Sequence, residues 1–334
     1  MRKTLARTLT GLTVIATGLA AVPAVADPEL PGGTRIGPAL THAQLTVLPL
    51  YGTDAGRDEE FLVLDEGMDK GLVKIVERGE GGSVNQLVIH NTSDRPLFVM
   101  SGEVIVGGQQ DRIIGKDTVI PPKKRKEVEV FCVEHGRWSG SDKSFRSAKA
   151  LAHTKLRKQA SYGGQGQVWD EVAKKNAARG TENGTDTYRR IATEEKTGKD
   201  VRAYEESIGA GLARAAEKDR LIGVAVAVNG EVVAIEEFAS AKLFAKVRPK
   251  LLRSYYVEAL DVPAKKTDKP VVAADVVAFA GKQATASKDT VLEAETVNTL
   301  RISGQGYKGT EVMPAAAPED GAPAKPVYKS WHKE

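Results

Sequence analysis

An α+β fold is predicted by three patterns: a β-rich N-terminal half, a helical middle, and a returning β-hairpin with helices. Short apolar runs separated by turn signals crowd residues 43–135. Residues 140–220 become polar and rich in Lys, Arg, Glu and Ala, the composition of helices. Asn229-Gly230 then joins two β-type runs, the signature of a two-residue hairpin.

The chain opens with Arg2, Lys3 and Arg7, an uncharged stretch from Leu9 to Ala26, and the small-residue exit Ala24-Val25-Ala26. Basic start, short apolar run and small-residue exit predict a cleavable export signal over residues 1–26. The expected location is therefore secreted, periplasmic or cell-envelope, with no membrane insertion after cleavage. Cleavage removes three basic residues from a total of 48 Lys+Arg against 44 Asp+Glu, so the remaining chain is close to neutral. Near-neutrality and the lack of aromatic residues within the basic runs argue against a nucleic-acid partner. Cys132, the single cysteine, has no partner for an internal disulfide.

Residues 27–41 are rich in Pro and Gly and read as a linker, with one α+β domain expected over 42–313. Within it, Phe61-Leu62-Val63-Leu64, Leu72 to Val76, Leu87-Val88-Ile89, Leu97 to Met100 and Val104-Ile105-Val106 are successive strand candidates. Val128, Val130 and Cys132 alternate with period two. Such short strands suggest a sandwich or barrel-like sheet. In the middle, Val201, Tyr204, Ile208, Leu212 and Ala215 form one helical stripe, with Asp200 as its expected cap. A second helix starts near Gln167. After the hairpin at 221–238, residues 241–259 read as one or two helices interrupted by Pro249, with another helix near 273–280. The Pro/Ala-rich segment 314–325 is expected to be flexible, and 326–334 to return as an edge strand.

The densest polar group is Ser101-Gly102-Glu103 followed by Gly107-Gly108-Gln109-Gln110-Asp111-Arg112, with Cys132-Val133-Glu134-His135-Gly136-Arg137-Trp138 downstream. Both stretches adjoin predicted strand ends, where a rigid sheet can hold polar groups against a ligand. Arg112 and Arg137 suit a carboxylate or phosphate, and Gln109, Gln110 and Trp138 stand beside them. Glu103 and Glu134 are the candidate general bases. The bland alternative pairs Glu103 with Arg112, and Glu134 with Arg137, as internal ion pairs. The glycines admit either a phosphate or a second strand at close range.

Other motifs carry less. Gly304-Gln305-Gly306-Tyr307-Lys308-Gly309 fits G-x-G-x-x-G, but Pro314 follows where a dinucleotide site needs a helix, so it reads as a glycine hairpin. The five histidines show no metal-pair spacing; no metal is assigned and the cofactor is left open. Asn91-Thr92-Ser93 and Asn183-Gly184-Thr185 match the glycosylation pattern.

Taken in order, the polar blocks resemble the ARG and rhodanese-phosphatase-superfamily-associated protein domain family, ARG standing for ADP-ribosylglycohydrolase. The resemblance also rests on Leu62 to Gly67, Gly81-Gly82-Ser83-Val84, Gln167 to Val172, Asn229 to Val233 and Pro249 to Tyr255, and spans roughly residues 42–260. The family pattern has Lys at the position of Gln109 and often Asn at that of Asp111. The resemblance implies a tie to ADP-ribose and NAD processing and carries no defined activity. A ligand-binding or accessory domain with a nucleotide-like, anionic ligand is the leading reading. A hydrolase using Glu103 or Glu134 and a structural protein of the cell envelope are the alternatives, so enzymatic activity stays open.

Overall fold

A computed structural model describes residues 28–52, 60–79, 85–136, 144–216, 220–266, 269–293, 295–316 and 324–334. The expected export signal at 1–26 and most of the segment 314–325 lie outside the described residues. The first half holds β1 (Glu29–Leu30), β2 (Thr34–Ile36), β3 (Leu40–His42), β4 (Leu45–Tyr51), β5 (Leu62–Val63), helix α1 (Leu64–Asp69), β6 (Val73–Glu77) and β7 (Gln86–Asn91). It continues with β8 (Leu97–Val99), β9 (Glu103–Gly107), β10 (Arg112–Ile114), β11 (Thr118–Ile120), β12 (Arg125–Cys132) and β13 (Phe145–Leu151). Helices α2 (Thr154–Tyr162), α3 (Gln165–Arg179), α4 (Arg189–Thr193), α5 (Glu195–Tyr204) and α6 (Ala210–Ala216) form the middle, with a π-helical turn at Glu205–Gly209 between the last two. Then come β14 (Leu221–Val228), β15 (Glu231–Phe238), α7 (Ala241–Ala259), α8 (Ala273–Gly281), β16 (Ser287–Glu293), β17 (Val297–Gly304), β18 (Tyr307–Pro314) and β19 (Tyr328–Lys333). The class is α+β, with a sheet in the N-terminal half curled into a half-barrel.

Ten strands build the largest sheet, in the order β1-β2-β4-β14-β15-β19-β18-β17-β16 with β3 also on β4. Six form β13-β9-β10-β12-β7-β6, and three form β11-β8-β5. Both faces of the ten-stranded sheet are covered. Val224 and Val226 of β14 join a core with Phe244, Val247 and Leu251 of α7, while Ala225 and Ala227 face a second core with Val276 and Phe279 of α8. Burial on both faces explains why β14 reads Leu-Ile-Gly-Val-Ala-Val-Ala-Val with no polar residue. A third core fills the N-terminal half with Ile75, Ile89, Ile105, Ile114 and Val130.

The hairpin turns at Asn229 and Gly230 with φ of 50° and 82°, the type I′ geometry its sequence demands. Gly304 pairs with Tyr307, so the glycine motif is a β17–β18 hairpin.

Several expectations need correction. The supposed linker at 27–41 contributes β1 and β2, because Leu30 and Ile36 bury in the α8-side core. Residues 145–151 are strand, not helix: they pair with β9 through a bulge between Ser147 and Leu151. The helix placed at Asp200 begins at Glu195, and Asp200 instead receives an ion pair from Arg179. Pro249 does not divide α7, whose buried face of Leu243, Phe244, Val247, Leu251 and Tyr255 outweighs one lost backbone bond. The strand at 328–333 is not an edge, since it pairs with β15 on one side and β18 on the other.

Candidate functional site

The strand-end residues gather around Asp111. In the ladder Arg112 lies opposite Ile105 of β9 and Cys132 of β12. The Asp111 carboxylate accepts from Arg189 Nε and Nη2 at 2.9 and 2.6 Å, from Thr187 Oγ1 at 3.0 Å and from the Gly107 amide at 3.0 Å. The Asp111 amide donates to Glu134 at 3.1 Å, and Gln110 Oε1 accepts from Arg112 Nη1 at 3.3 Å. The Gln109 amide donates to Glu77 at 3.4 Å. Gln110, Arg112 and Glu134 are buried, Arg112 completely. Arg137 and Trp138 lie outside the described residues. The glycines here let a second strand approach closely. A Cβ at Gly108 would meet the Phe145 ring at 2.2 Å, and one at Gly107 the Ser144 carbonyl at 2.4 Å. Burial pushes the Cys132 thiol up, which disfavours the thiolate a nucleophile needs.

Arg189 and Thr187 were not visible as partners in the sequence. Their loop is tied by Asn183, whose side chain accepts from the Thr185 and Thr187 amides at 3.3 and 3.0 Å. The other glycosylation-type asparagine, Asn91, is buried and donates to the Ile120 and Pro121 carbonyls at 3.1 and 3.0 Å.

Glu103 stands apart from this group. Its carboxylate pairs with Lys250 of α7 at 2.9 Å, and Lys250 also reaches Asp65 at 2.9 Å. The alternative that paired Glu103 with Arg112 therefore has the wrong cation, which is Lys250. Arg112 aligns with Ile105, two residues further along β9, while α7 carries a buried ammonium to Glu103 itself. Burial pushes the Glu103 carboxyl up to about 7; Lys250 opposes the shift, and Asp65, sharing that one cation, reinforces it. Among the described residues no group of three or more His, Cys, Asp or Glu side chains is placed to hold a metal ion.

Ser101 and Gly102 lead to a second centre. Gly102 has φ of +85°, and a Cβ there would meet Arg157 Cγ at 2.3 Å, so the Arg157 stem crosses at a place only glycine leaves clear. Ser101 Oγ lies 2.6 Å from Ser161 Oγ, tying β8–β9 to α2. Arg157 then reaches Glu236 of β15 at 3.1 Å, and both are buried. Glu236 also accepts from Tyr255 of α7 at 2.7 Å and from Tyr328 of β19. Burial works to raise the Glu236 carboxyl, but Arg157, His332 and the two phenols outweigh it and hold it below the usual range. Burial pushes His332 down to about 4 and Asp117 up to about 6.

Two cavities flank this network. The outer one, about 190 Å³, lies between α2, the hairpin, α7 and β19, with Val228, Val233 and Val262 as apolar wall and Lys155, Lys158 and Lys333 around it. The inner one, about 20 Å³, is lined by Asp117, Arg157, Tyr162 and Ser330 among others, and shares Thr154, Lys158 and His332 with the outer. Lys155 pairs with Glu258 and Lys333 with Glu231. Glu334, also on the wall, pairs with Lys308 at 2.5 Å. Half-buried Lys158 donates to the Lys333 carbonyl at 3.0 Å and pairs with no side-chain carboxylate among the described residues. Glu103, Gln109, Gln110, Arg112 and Glu134 line neither cavity.

Fold and site define an α+β domain with charged groups drawn inward onto a large antiparallel sheet, beside a small cavity of mixed polarity. The chain belongs to the ARG and rhodanese-phosphatase-superfamily-associated protein domain family, whose model matches residues 33–322. Neither the comparison with curated proteins nor that with solved structures finds a match. Among the described residues no helix is long and apolar enough to cross a membrane.

Proposed function

We propose that this chain is a ligand-binding accessory domain that takes a small anionic, nucleotide-like ligand in the outer cavity, with Lys158 as the anion's partner. The observation that carries the reading is charge balance on the cavity wall. Lys155, Lys333, Glu258 and Glu334 each have a side-chain ion pair, whereas Lys158 hydrogen-bonds only a carbonyl and feels Glu258 and Glu334 at longer range. An ammonium whose one hydrogen bond goes to a neutral group, in a partly apolar cavity, gains from a direct contact with an incoming anion. The family's name ties it to ADP-ribosylglycohydrolases and rhodanese-phosphatase proteins, which puts ADP-ribose first among the ligands to try. The export signal read at residues 1–26 supports a role outside the cytoplasm.

A hydrolase reading draws on the Glu103 carboxyl, pushed up to about 7. Against it, Glu103 is engaged by Lys250 and lines neither cavity. The test is a thermal-shift screen of the purified protein with ADP-ribose, AMP and inorganic phosphate, beside Lys158→Met. At ~100 times its dissociation constant a ligand adds about 2.7 kcal/mol of stability, a visible displacement of the melting curve. A shift present in the wild type and lost in Lys158→Met supports the site; equal shifts in both proteins sink it.

A further inference from the structure

We infer that Lys250 and Asp65 become joined by a side-chain amide bond that the folded chain makes by itself, with Glu103 carrying the protons and Ser147 holding the acyl oxygen. The inference is independent of the outer cavity and rests on four groups held in contact. Lys250 Nζ lies 2.9 Å from Asp65 Oδ2 and 2.9 Å from Glu103 Oε2. Asp65 Oδ1, the other oxygen of that carboxyl, accepts from Ser147 Oγ at 2.6 Å. The Lys149 amide donates to the same hydroxyl at 2.9 Å, which leaves the Ser147 proton for Asp65. Glu103 Oε1 accepts from the Met100 amide at 3.4 Å. Lys250 and Glu103 are buried, and Asp65 is half-buried. An amine, a carboxyl, a proton carrier and an oxyanion donor are the parts that acyl transfer to nitrogen requires.

The two acids divide the roles. Asp65 has a hydroxyl donor on Oδ1, where negative charge develops when Nζ attacks Cγ. Glu103 has no such donor, and burial pushes its carboxyl up to about 7, the range of a group that takes and returns protons at neutral pH. Burial works to lower the Lys250 ammonium, but Glu103 and Asp65 outweigh it and hold it above its ordinary value. The neutral amine is therefore rare and the reaction slow, which a change made once per molecule tolerates. Freshly folded protein carries the ion pairs and is converted with time. In the reaction Lys250 passes a proton to Glu103, and Nζ attacks Asp65 Cγ. The Cγ–Oδ2 bond breaks, and Oδ2 leaves as water with two of the three ammonium protons, one of them delivered by Glu103. The last proton stays on the amide, Oδ1 becomes its carbonyl under Ser147, and Glu103 ends as it began. Contact held by the fold supplies the effective concentration that condensation in bulk water lacks. The bond would span 185 residues from α1 to α7, a closure that a chain with one cysteine cannot make as an internal disulfide.

The experiment is intact-mass spectrometry of the purified protein during warm incubation at neutral pH, followed by tryptic digestion. A species lighter by one water should accumulate over days. Its digest should contain a branched peptide joining the segments that carry Asp65 and Lys250. Lys250→Arg and Asp65→Ala should form none of it. Ser147→Ala should slow its formation by about 10²-fold, the usual effect of losing one oxyanion donor, and Glu103→Gln by at least about 10²-fold. An unchanged wild-type mass overturns the inference. So does a water loss that persists in Lys250→Arg, which assigns it to cyclisation of an Asp side chain onto the backbone. Circular dichroism checks the folding of each variant. Should one not fold, the wild-type mass and the branched peptide still decide.

Discussion

Glu103→Gln tests the buried triad of Glu103, Lys250 and Asp65 most directly. Glutamine keeps the shape and still accepts from Lys250, but it never carries the second negative charge. The carboxyl of Glu103 moves from 4.5 to about 7 on folding. At 1.36 kcal/mol per pH unit, that displacement is worth about 3 kcal/mol. The sign follows from linkage. The folded protein holds this proton more tightly than the unfolded chain, so the contribution is fully present below about 4.5 and is lost as pH rises through about 7. The variant lacks that loss. Its stability relative to wild type should therefore rise by about 2.5 kcal/mol between pH 5 and pH 8, the rest lying below pH 5, measured by urea denaturation followed through the emission of buried Trp331. Titration of groups away from Asp65 and Lys250 is common to both proteins and drops out of the difference. Lys250→Met should behave oppositely at pH 8, losing about 3–5 kcal/mol, because two carboxylates are left without their cation. A Glu103→Gln difference that stays constant within about 1 kcal/mol from pH 5 to pH 8 would refute the assignment of burial as the dominant influence on this carboxyl.

Three further outcomes are expected. Asp111→Ala releases Arg189, Thr187 and the Gly107 amide, and should cost about 2–4 kcal/mol in urea while opening the loop at 181–188 to limited proteolysis. Gly102→Ala combines a left-handed backbone with a 2.3 Å approach to Arg157; about 2–4 kcal/mol should be lost, read as a lower melting temperature. Trp331→Ala empties the α8-side core, where its ring lies 5.8 Å from Tyr307 in a stacked arrangement, and should cost about 3–5 kcal/mol in the same denaturation assay followed by circular dichroism.

Local patterns carried the fold as far as local physics reaches. The alternation of Val128, Val130 and Cys132 is a strand because those side chains share one buried face, and Asn229-Gly230 turns because both residues tolerate positive φ. The strand at 145–151 was illegible because its middle, Arg146 to Lys149, is polar and bulged, with Lys149 itself at positive φ. The strands at 29–30 and 34–36 are too short to show a period. At the candidate site, the sequence singled out Ser101-Gly102-Glu103 but not what meets it. Arg157 and Lys158 sit in a basic run that resembles a solvated surface, and Glu236 looks like any polar strand residue. Arg157 and Glu236 are 79 residues apart, and Glu103 and Lys250 are 147 apart, so neither partnership leaves a local trace. A buried charge is defined by its partner, and the partner is a property of topology.

The place of β19 in the ten-stranded sheet sets a timetable for the nascent chain. This strand joins β15 to β18, so the two parts of the sheet have no ladder between them until residues 328–333 emerge. At synthesis rates of roughly 5–20 residues per second, the hairpin at 221–238 waits seconds with one long edge unpaired. Tyr328, which completes the shell around Glu236, arrives with the same strand. A ribosome-bound chain stopped before residue 328 thus lacks both the sheet closure and the last partner of its buried carboxylate.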